Sequence, residues 1–290
     1  MSTLFTGISE LRTVSERGTL NDAAIIAQSG TIAWVGPASE APAADEKVDL
    51  GGRAVLPGWV DSHTHMVFDG DRSAEFEARI SGGSYEAGGI AVTMDATRQA
   101  GTDRLDKLVA DRVAAGRRGG TTTFETKTGY GLNTESEVEA AKVASRHVDD
   151  VTFLGAHLVP PGADAEEYLD EVVGPMLEGV APYVQWIDVF CERGAFNEEQ
   201  SRRVLEAGKK LGLGLRVHGN QLGEGPGVAL AVELGAASVD HVNHLSDEDV
   251  ELLANSDTVA TMLPACDLST REPLAPGRTL LDAGATLAIA

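Results

Sequence analysis

Short apolar runs alternate with longer amphipathic stretches from residue 54 to the end of the chain. Eight runs are strand-like, and they end at His65, Lys127, His157, Glu192, His218, His244, Pro264 and Ala290. Helical periodicity lies between them, at Arg104–Arg118, Glu135–Arg146, Ala165–Leu177, Glu198–Leu211, Gly227–Leu234 and Asp247–Ala254. This alternation predicts an α/β fold with parallel strands, and eight of them close a (β/α)8 barrel of the TIM type. A doubly wound sheet would not gather four histidine-bearing strand ends around one centre.

Residues 1–53 have a different pattern, with short β-like runs and no helical periodicity. Two such runs flank Gln28-Ser29-Gly30, which is a hairpin signal. We therefore predict a small N-terminal β domain over 1–53 and a barrel domain over 54–290. The last run, Ala285–Ala290, is typical of a core strand, and the sequence stops inside it. We expect a barrel incomplete at its C-terminus, in a fragment of a longer protein.

His63 and His65 form a His-x-His pair after an apolar run. On extended backbone the side chains at i and i+2 leave from the same face, so both imidazoles can reach one ion. Zinc binds imidazole nitrogen at about 2.0–2.1 Å. The alternative is a pair of exposed loop histidines, but the preceding apolar run and the later histidines favour a metal site.

His218 ends another strand-like run, in a position like that of His65. With His63 and His65 it would complete three nitrogen ligands and leave one position open for water, as in catalytic zinc sites. Such a metal lowers the pKa of its water to ~7. Taken alone, His218 fits equally well a hydrogen-bonded histidine of the core.

A further pair of histidines, His241 and His244, lies at the end of the sixth run. Either could orient the attacking water or stabilise a developing oxyanion, or could simply be a buried polar residue. The spacing does not separate these interpretations. Asp240 would be an acceptor for a ligand histidine.

Arg72 and Tyr130 follow the first and second runs, in loops over the same predicted rim. A guanidinium there can grip a substrate carboxylate, although a surface salt bridge with a nearby acid is the simpler alternative. Tyr130 could add a donor to this pocket. The segment GGSYEAGG, residues 82–89, has the composition of a mobile lid from which Tyr85 could reach inward.

Charge and composition limit the classes of molecule that the protein is expected to bind. The chain has 45 acidic and 23 basic residues, a net charge of −22, with 42% hydrophobic residues. Such a field repels phosphate backbones and anionic lipid, so we expect no nucleic-acid and no membrane partner. Two distant cysteines indicate a reducing compartment, and no signal peptide or membrane span is evident; we expect a cytoplasmic protein.

Several stretches resemble the amidohydrolase superfamily and, within it, the imidazolonepropionase family. They are LPGWVDSHTHMVFDGDR, GGSYEAGGI, TTTFETKTGYGL, FLGAHLVPP, DVFCERGAF, LRVHGNQL and VDHVNHL. His-x-His alone marks only the superfamily, whereas HTHMVFDGDR with KTGYGL and GAHLVPP is far more specific. The resemblance covers nearly the whole chain. It implies a metal-dependent hydrolase in which activated water cleaves the cyclic amide of 4-imidazolone-5-propanoate to N-formimidoyl-L-glutamate, in histidine degradation.

The resemblance implies a role for each matching residue. His63, His65 and His218 would bind one Zn²⁺ or Fe ion, and His241 would be the catalytic histidine beside the water and the ring carbonyl. The small-molecule substrate would be contacted, chiefly around its propionate, by Arg72, Tyr85, Tyr130, His157 and Gln221. Gln221 stands where many members have Glu, and Gln cannot act as a base. The sequence leaves open whether the protein forms a homodimer.

One departure from the family concerns its metal-binding aspartate, which follows the last strand in an Asp-x-Asn-Pro-Gly stretch. The sequence ends before it, so we expect this fragment to bind metal weakly and to turn over poorly or not at all. Other interpretations are another amidohydrolase, such as a cyclic amidase or a ring aminohydrolase, and an inactive metal-binding protein. A nucleotide-binding α/β protein would rest only on loose glycine patterns.

Overall fold

The computed structural model describes residues 1–81 and 89–290. The chain forms two compact units, Met1–Trp59 and Val60–Ala290. Across the described ranges, no helix combines the length and the apolar character needed to cross a membrane.

The first unit is a four-stranded sheet in the order β3-β2-β1-β4. Its strands are β1 Ser2–Arg12, β2 Thr19–Gln28, β3 Thr31–Pro37 and β4 Glu46–Val55, with a 3-10 turn at Ala38–Glu40. β2 and β3 pair antiparallel, which confirms the predicted hairpin. Ser29 and Gly30 both have positive φ, of 51° and 78°, as a tight two-residue hairpin turn requires. Ile8, Leu11 and Ala23 form the small core.

The apolar run at Ala54 belongs to this first sheet, not to the first barrel strand as the pattern suggested. Ala54 and Val55 pair with Glu10 and Leu11 of β1. The chain then passes through Pro57, whose ring removes an N–H from any ladder, before the next strand begins at Trp59. An apolar run alone does not say which sheet a strand joins.

The second unit contains eight strands whose spatial order follows the chain. They are β5 Trp59–Asp61, β6 Thr121–Lys127, β7 Asp150–Ala156, β8 Trp186–Cys191, β9 Gly214–Gly219, β10 Ser238–His241, β11 Val259–Met262 and β12 Leu287–Ile289. Pairing from β6 to β12 is parallel. Eight parallel strands in sequential order, with helices between them, confirm the predicted (β/α)8 barrel.

Eleven α-helices occupy the described part of the second unit. They are α1 Ser73–Ile80, α2 Gly89–Ala100, α3 Thr102–Arg118, α4 Thr134–Ala144, α5 Ala165–Glu171, α6 Leu177–Val180, α7 Glu198–Lys210, α8 Gly227–Leu234, α9 Asp247–Ala254, α10 Pro264–Thr270 and α11 Gly277–Ala283. The bounds of α8 and α9 are those that the sequence predicts. Ser246 and Asp249 form a capping box that begins α9, and a left-handed Gly235 ends α8.

The helix predicted over Ala165–Leu177 is interrupted. A π-turn at Val172–Met176 separates α5 from α6, and a 3-10 turn follows at Ala181–Tyr183. Gly174 has non-helical dihedral angles, and Pro175 follows it directly. Since proline lacks an N–H and its ring crowds the preceding turn, a continuous α-helix cannot pass this point unchanged.

Candidate metal centre

Three imidazoles converge at the end of the barrel to which the strands point. His63 and His65 follow β5, and His218 lies near the end of β9. One nitrogen of each lies within 4.8 Å of one nitrogen of the others. The ring centroids of His63 and His218 are 4.6 Å apart, and the Nε2 atoms of His65 and His218 are 3.4 Å apart. His63 and His218 are buried.

The geometry of this cluster fits a single metal ion. Two nitrogens bound at 2.0–2.1 Å in tetrahedral geometry are about 3.3 Å apart. The Nε2 atoms of His65 and His218 are therefore at the spacing that one Zn²⁺-like ion would impose. Burial and the neighbouring histidines hold the pKa of His65 well below its usual value, so its ring is neutral, as ligation requires.

Two aspartates orient two of these rings from behind. Asp240 Oδ2 accepts a hydrogen bond from His63 Nδ1 at 2.6 Å, and Asp188 Oδ2 lies 2.9 Å from His218 Nδ1. Protons on Nδ1 leave the lone pairs on Nε2, where a metal would bind. Burial, with Lys127 nearby, lowers the pKa of His63 to about 3 although Asp240 opposes the shift.

A fully buried lysine lies beneath the histidines, and the sequence reasoning missed its role. Lys127 Nζ lies 3.0 Å from Glu125 Oε1, 3.1 Å from Asp188 Oδ2 and 3.5 Å from Asp240 Oδ2. Burial by itself would lower the pKa of Lys127, but the three carboxylates raise it above its usual value. The available signal was Glu125 and Lys127 two residues apart in one strand, with Asp188 inside another otherwise apolar run.

His241 stands beside the three histidines. Its ring centroid is 5.4 Å from that of His63 and 5.2 Å from that of His218. Its backbone has a φ of 84°, which is strained for a residue with a side chain. Burial and the neighbouring histidines hold the pKa of His241 well below its usual value. His244, the other candidate in this stretch, lies 3.3 Å from Glu272 instead.

Tyr130 and His157 line the other side of His65. The rings of His65 and His157 stack at 5.6 Å, and Tyr130 packs against both at 5.7 and 5.4 Å. His157 Nδ1 donates to the Gly129 carbonyl at 2.9 Å, which leaves a lone pair on Nε2. Burial and then His218 lower the pKa of His157 to about 4.

Arg72 lines an open cavity of about 500 Å³ together with Tyr130 and Arg112. The guanidinium of Arg112 stacks on Phe68 and donates to the carbonyls of Met66 and Phe68, so it is committed to holding the loop. Asp69, an acid close to Arg72 in the sequence, forms a salt bridge with Arg104.

The remaining predicted contacts are Gln221 and Tyr85. Gln221 is buried just after β9, and its backbone N–H donates to Glu192 Oε2 at 3.0 Å. Glu192 also accepts from the N–H of Leu222 and so anchors this turn. Tyr85 lies outside the described residues, as does most of the predicted lid segment.

The sequence of the chain is closely similar to that of named enzymes. It is 64% identical over 301 residues to the imidazolonepropionase of Arthrobacter sp. (strain FB24), a match that spans all of this chain and 75% of that protein. No model of a known protein family matches the chain.

Solved structures of hydrolytic enzymes share its fold. The guanine deaminase of C. acetobutylicum, with guanine bound in its active site, gives a TM-score of 0.71 at 14% identity, covering 100% of this chain and 74% of that one. The atrazine chlorohydrolase of Arthrobacter aurescens TC1, complexed with zinc, gives 0.67 at 16% identity, covering 99% and 71%. Identities this low support the fold alone.

Proposed function

The chain belongs to the imidazolonepropionase family, and on that premise we propose that it hydrolyses the cyclic amide C–N bond of 4-imidazolone-5-propanoate to N-formimidoyl-L-glutamate in histidine degradation. The single observation that carries the proposal beyond sequence identity is the convergence of His63, His65 and His218 with nitrogen spacings suited to one ion. The neighbouring pocket offers an arginine for the propionate.

We propose that His63, His65 and His218 hold one Zn²⁺ or Fe ion. When bound, such an ion supplies Lewis acidity and lowers the pKa of a coordinated water to ~7. Asp240 and Asp188 keep two of the rings in the tautomer that presents Nε2. The neutral side chain of His241 is the group that exchanges a proton or a hydrogen bond with water and the ring carbonyl.

Substrate binding is assigned to Arg72, Tyr130, His157, Tyr85 and Gln221. Arg72 pairs with the propionate, because a guanidinium can bind both carboxylate oxygens. His157 has a different task when it is neutral. Since its Nδ1 donates to Gly129, its Nε2 can only accept, so it suits an N–H of the substrate better than a carboxylate oxygen.

Hydrolysis by a C-terminally extended form of the chain, loaded with Zn²⁺ or Fe, tests the proposal, with loss of imidazolone propionate absorbance as the readout. We expect His218→Ala to abolish turnover. The matched control is His147→Ala, because His147 contacts Asp106 outside the cluster. A rate unchanged in His218→Ala would contradict the proposed centre. A C-terminally extended form should be faster than the 290-residue chain, and equal rates would refute the expected need for a further aspartate.

Replacing Arg72 by Met tests the substrate. The KM for the propionate substrate should rise by roughly 10- to 150-fold, since a charge-assisted pair is worth about 1.5–3 kcal/mol. The opposite result has two parts: the protein does not turn over the propionate substrate, and it hydrolyses a neutral ring substrate at a rate that Arg72→Met leaves unchanged. That result would favour a ring aminohydrolase or another cyclic amidase.

The cellular location of the protein and the class of its partner are also proposals. We assign the protein to the cytoplasm, a choice supported by its low cysteine content, two residues (Cys191 and Cys266) that lie far apart in a sequence of 290. The net charge of −22 supports a small-molecule partner over nucleic acid or an anionic membrane surface.

A further inference from the structure

A second group of potential metal ligands lies directly beneath the three histidines. Asp188, His218 and Asp240 each offer one ligand atom within 4.8 Å of the others, and all three are buried. Glu125 adds a third carboxylate, whose Oε1 accepts from Lys127 at 3.0 Å. The two groups share His218, and the carboxylates of Asp188, Asp240 and Glu125 are the ligands that a second ion beside the first would use.

The middle of this second group is filled by a side chain. The Lys127 ammonium lies within 3.5 Å of one oxygen from each of the three carboxylates. The same Oδ2 atom of Asp240 contacts both Lys127 and His63, and the same Oδ2 of Asp188 contacts both Lys127 and His218. The lysine therefore stands where an ion bridged by these carboxylates would be.

We propose that the Lys127 ammonium takes the place of a second metal ion and so limits the centre to one. The inference rests on the proposed function, because the first ion is the one held by His63, His65 and His218. Lys127 is a positioning residue: it touches no substrate, and it acts through the aspartates that orient two of the ligand rings.

The charge balance explains why a cation is needed there. Three carboxylates contact Lys127; burial raises the pKa of one of them, Glu125, and the charges of Lys127 and then of the buried Arg216 oppose that shift. Removing the lysine charge leaves the three carboxylates without the cation that they share in a site closed to solvent, which is strongly unfavourable. Carboxylate oxygens bind Zn²⁺ at about 2.0–2.2 Å, so small side-chain rotations would let them close on an ion in the vacated space.

Lys127→Met tests the proposal through metal content. Wild type and variant are brought to equilibrium by dialysis against saturating free Zn²⁺ or Mn²⁺, and the bound metal per chain is measured. We expect one ion in the wild type and two in Lys127→Met. Adding Asp188→Asn to Lys127→Met should return the content to one. The matched control is Lys107→Met, which removes an exposed lysine paired with Asp111 and should keep one ion.

The outcomes separate this inference from the proposed function. A folded Lys127→Met that binds one ion at saturation overturns the inference alone. If the wild type binds no metal and Lys127→Met binds one ion, the three-histidine centre is contradicted, but the three carboxylates around Lys127 are supported as an ion site. No metal in either protein overturns both.

If Lys127→Met folds poorly, the proposal can still be tested by the effect of metal on thermal stability. The proposal predicts that Zn²⁺ or Mn²⁺ raises the melting temperature of Lys127→Met, or of the milder Lys127→Gln, by more than that of the wild type. An equal rise would contradict it. The wild type gives a further check. If the wild type binds a second ion, and Asp188→Asn loses that ion, the Lys127 ammonium does not exclude a second metal ion.

Discussion

At the scale of single residues, the site depends on which imidazole nitrogen carries the proton. Buried aspartates face Nδ1 of His63 and His218, and a carbonyl faces Nδ1 of His157. The clustering of His63, His65 and His218 could be predicted because His-x-His and a strand-end histidine follow sequence spacing. Asp188, Glu125 and Lys127 could not, because their role depends on contacts between residues far apart in the chain.

Asp240→Asn tests the orientation of His63. Asparagine keeps the size of the side chain but removes the charge that holds the Nδ1 proton. We expect a 10–100-fold loss of metal affinity in competition with a chromogenic chelator, as found for such supporting residues. Asp111→Asn, at an exposed pair with Lys107, is the control. Affinity equal to that of wild type would mean that Asp240 does not support the ligand.

The buried histidines predict that metal-free protein loses stability in mild acid. His157 has its pKa lowered to about 4, so the unfolded chain binds protons more readily than the folded chain below about 6.5. The stabilisation is complete above pH 6.5 and falls as the pH drops toward 4. His157 alone accounts for about 3 kcal/mol of unfolding free energy over that range.

Urea unfolding at several pH values between 4 and 7 measures this slope. His157→Gln, which cannot titrate, should have a flatter dependence than the wild type. A wild-type stability that stays constant, or that rises as the pH falls, would contradict the neutral state of these rings.

At the scale of elements, the loop after β6 shows how a buried acid on a helix positions a pocket. Glu137 of α4 accepts from the N–H groups of Gly129, Gly131 and Leu132 at 2.7–2.9 Å. Gly129 has a φ of 104°, and a Cβ there would lie 2.5 Å from the Leu154 carbonyl oxygen. This held loop carries Tyr130 and the carbonyl that accepts from His157.

Glu137→Gln should loosen that loop. Its three acceptor contacts to backbone N–H groups are charge-assisted, so we expect a loss of about 2–3 kcal/mol in unfolding free energy. The KM for substrate should rise more than kcat falls, because Tyr130 contacts the pocket. The control is Glu139→Gln, a half-buried glutamate of the same helix that pairs with Lys142. Equal effects in both variants would contradict the claim that Glu137 holds the loop after β6.

Element boundaries followed from sequence only where local chemistry marks them. The predicted bounds of α9 and α8 agree with the structure, in which a capping box at Ser246 begins α9 and a left-handed Gly235 ends α8. The interruption at Gly174 and the assignment of Ala54 to the small sheet were missed. The pairing of Ala54 with β1 is a tertiary contact, and the break at Gly174 follows from the adjacent Pro175; hydrophobic periodicity reports neither.

At the scale of the whole molecule, the parallel strand order makes the centre possible. Strands β5, β6, β8, β9 and β10 each bring a charged or imidazole side chain to one end of the barrel. Sequence alone predicted the convergence of the histidines, because the strands of a (β/α)8 barrel all point toward its active-site face, but not that of the charged residues of β6 and β8. The function proposed for the protein therefore depends on whether the histidines share one ion.

Anomalous diffraction at the zinc edge from crystals of Zn²⁺-loaded protein tests that claim most directly. We predict one strong peak about 2.0–2.1 Å from Nε2 of His63, His65 and His218. A peak bound elsewhere, or none within reach of these three nitrogens in the fully loaded protein, would contradict the account.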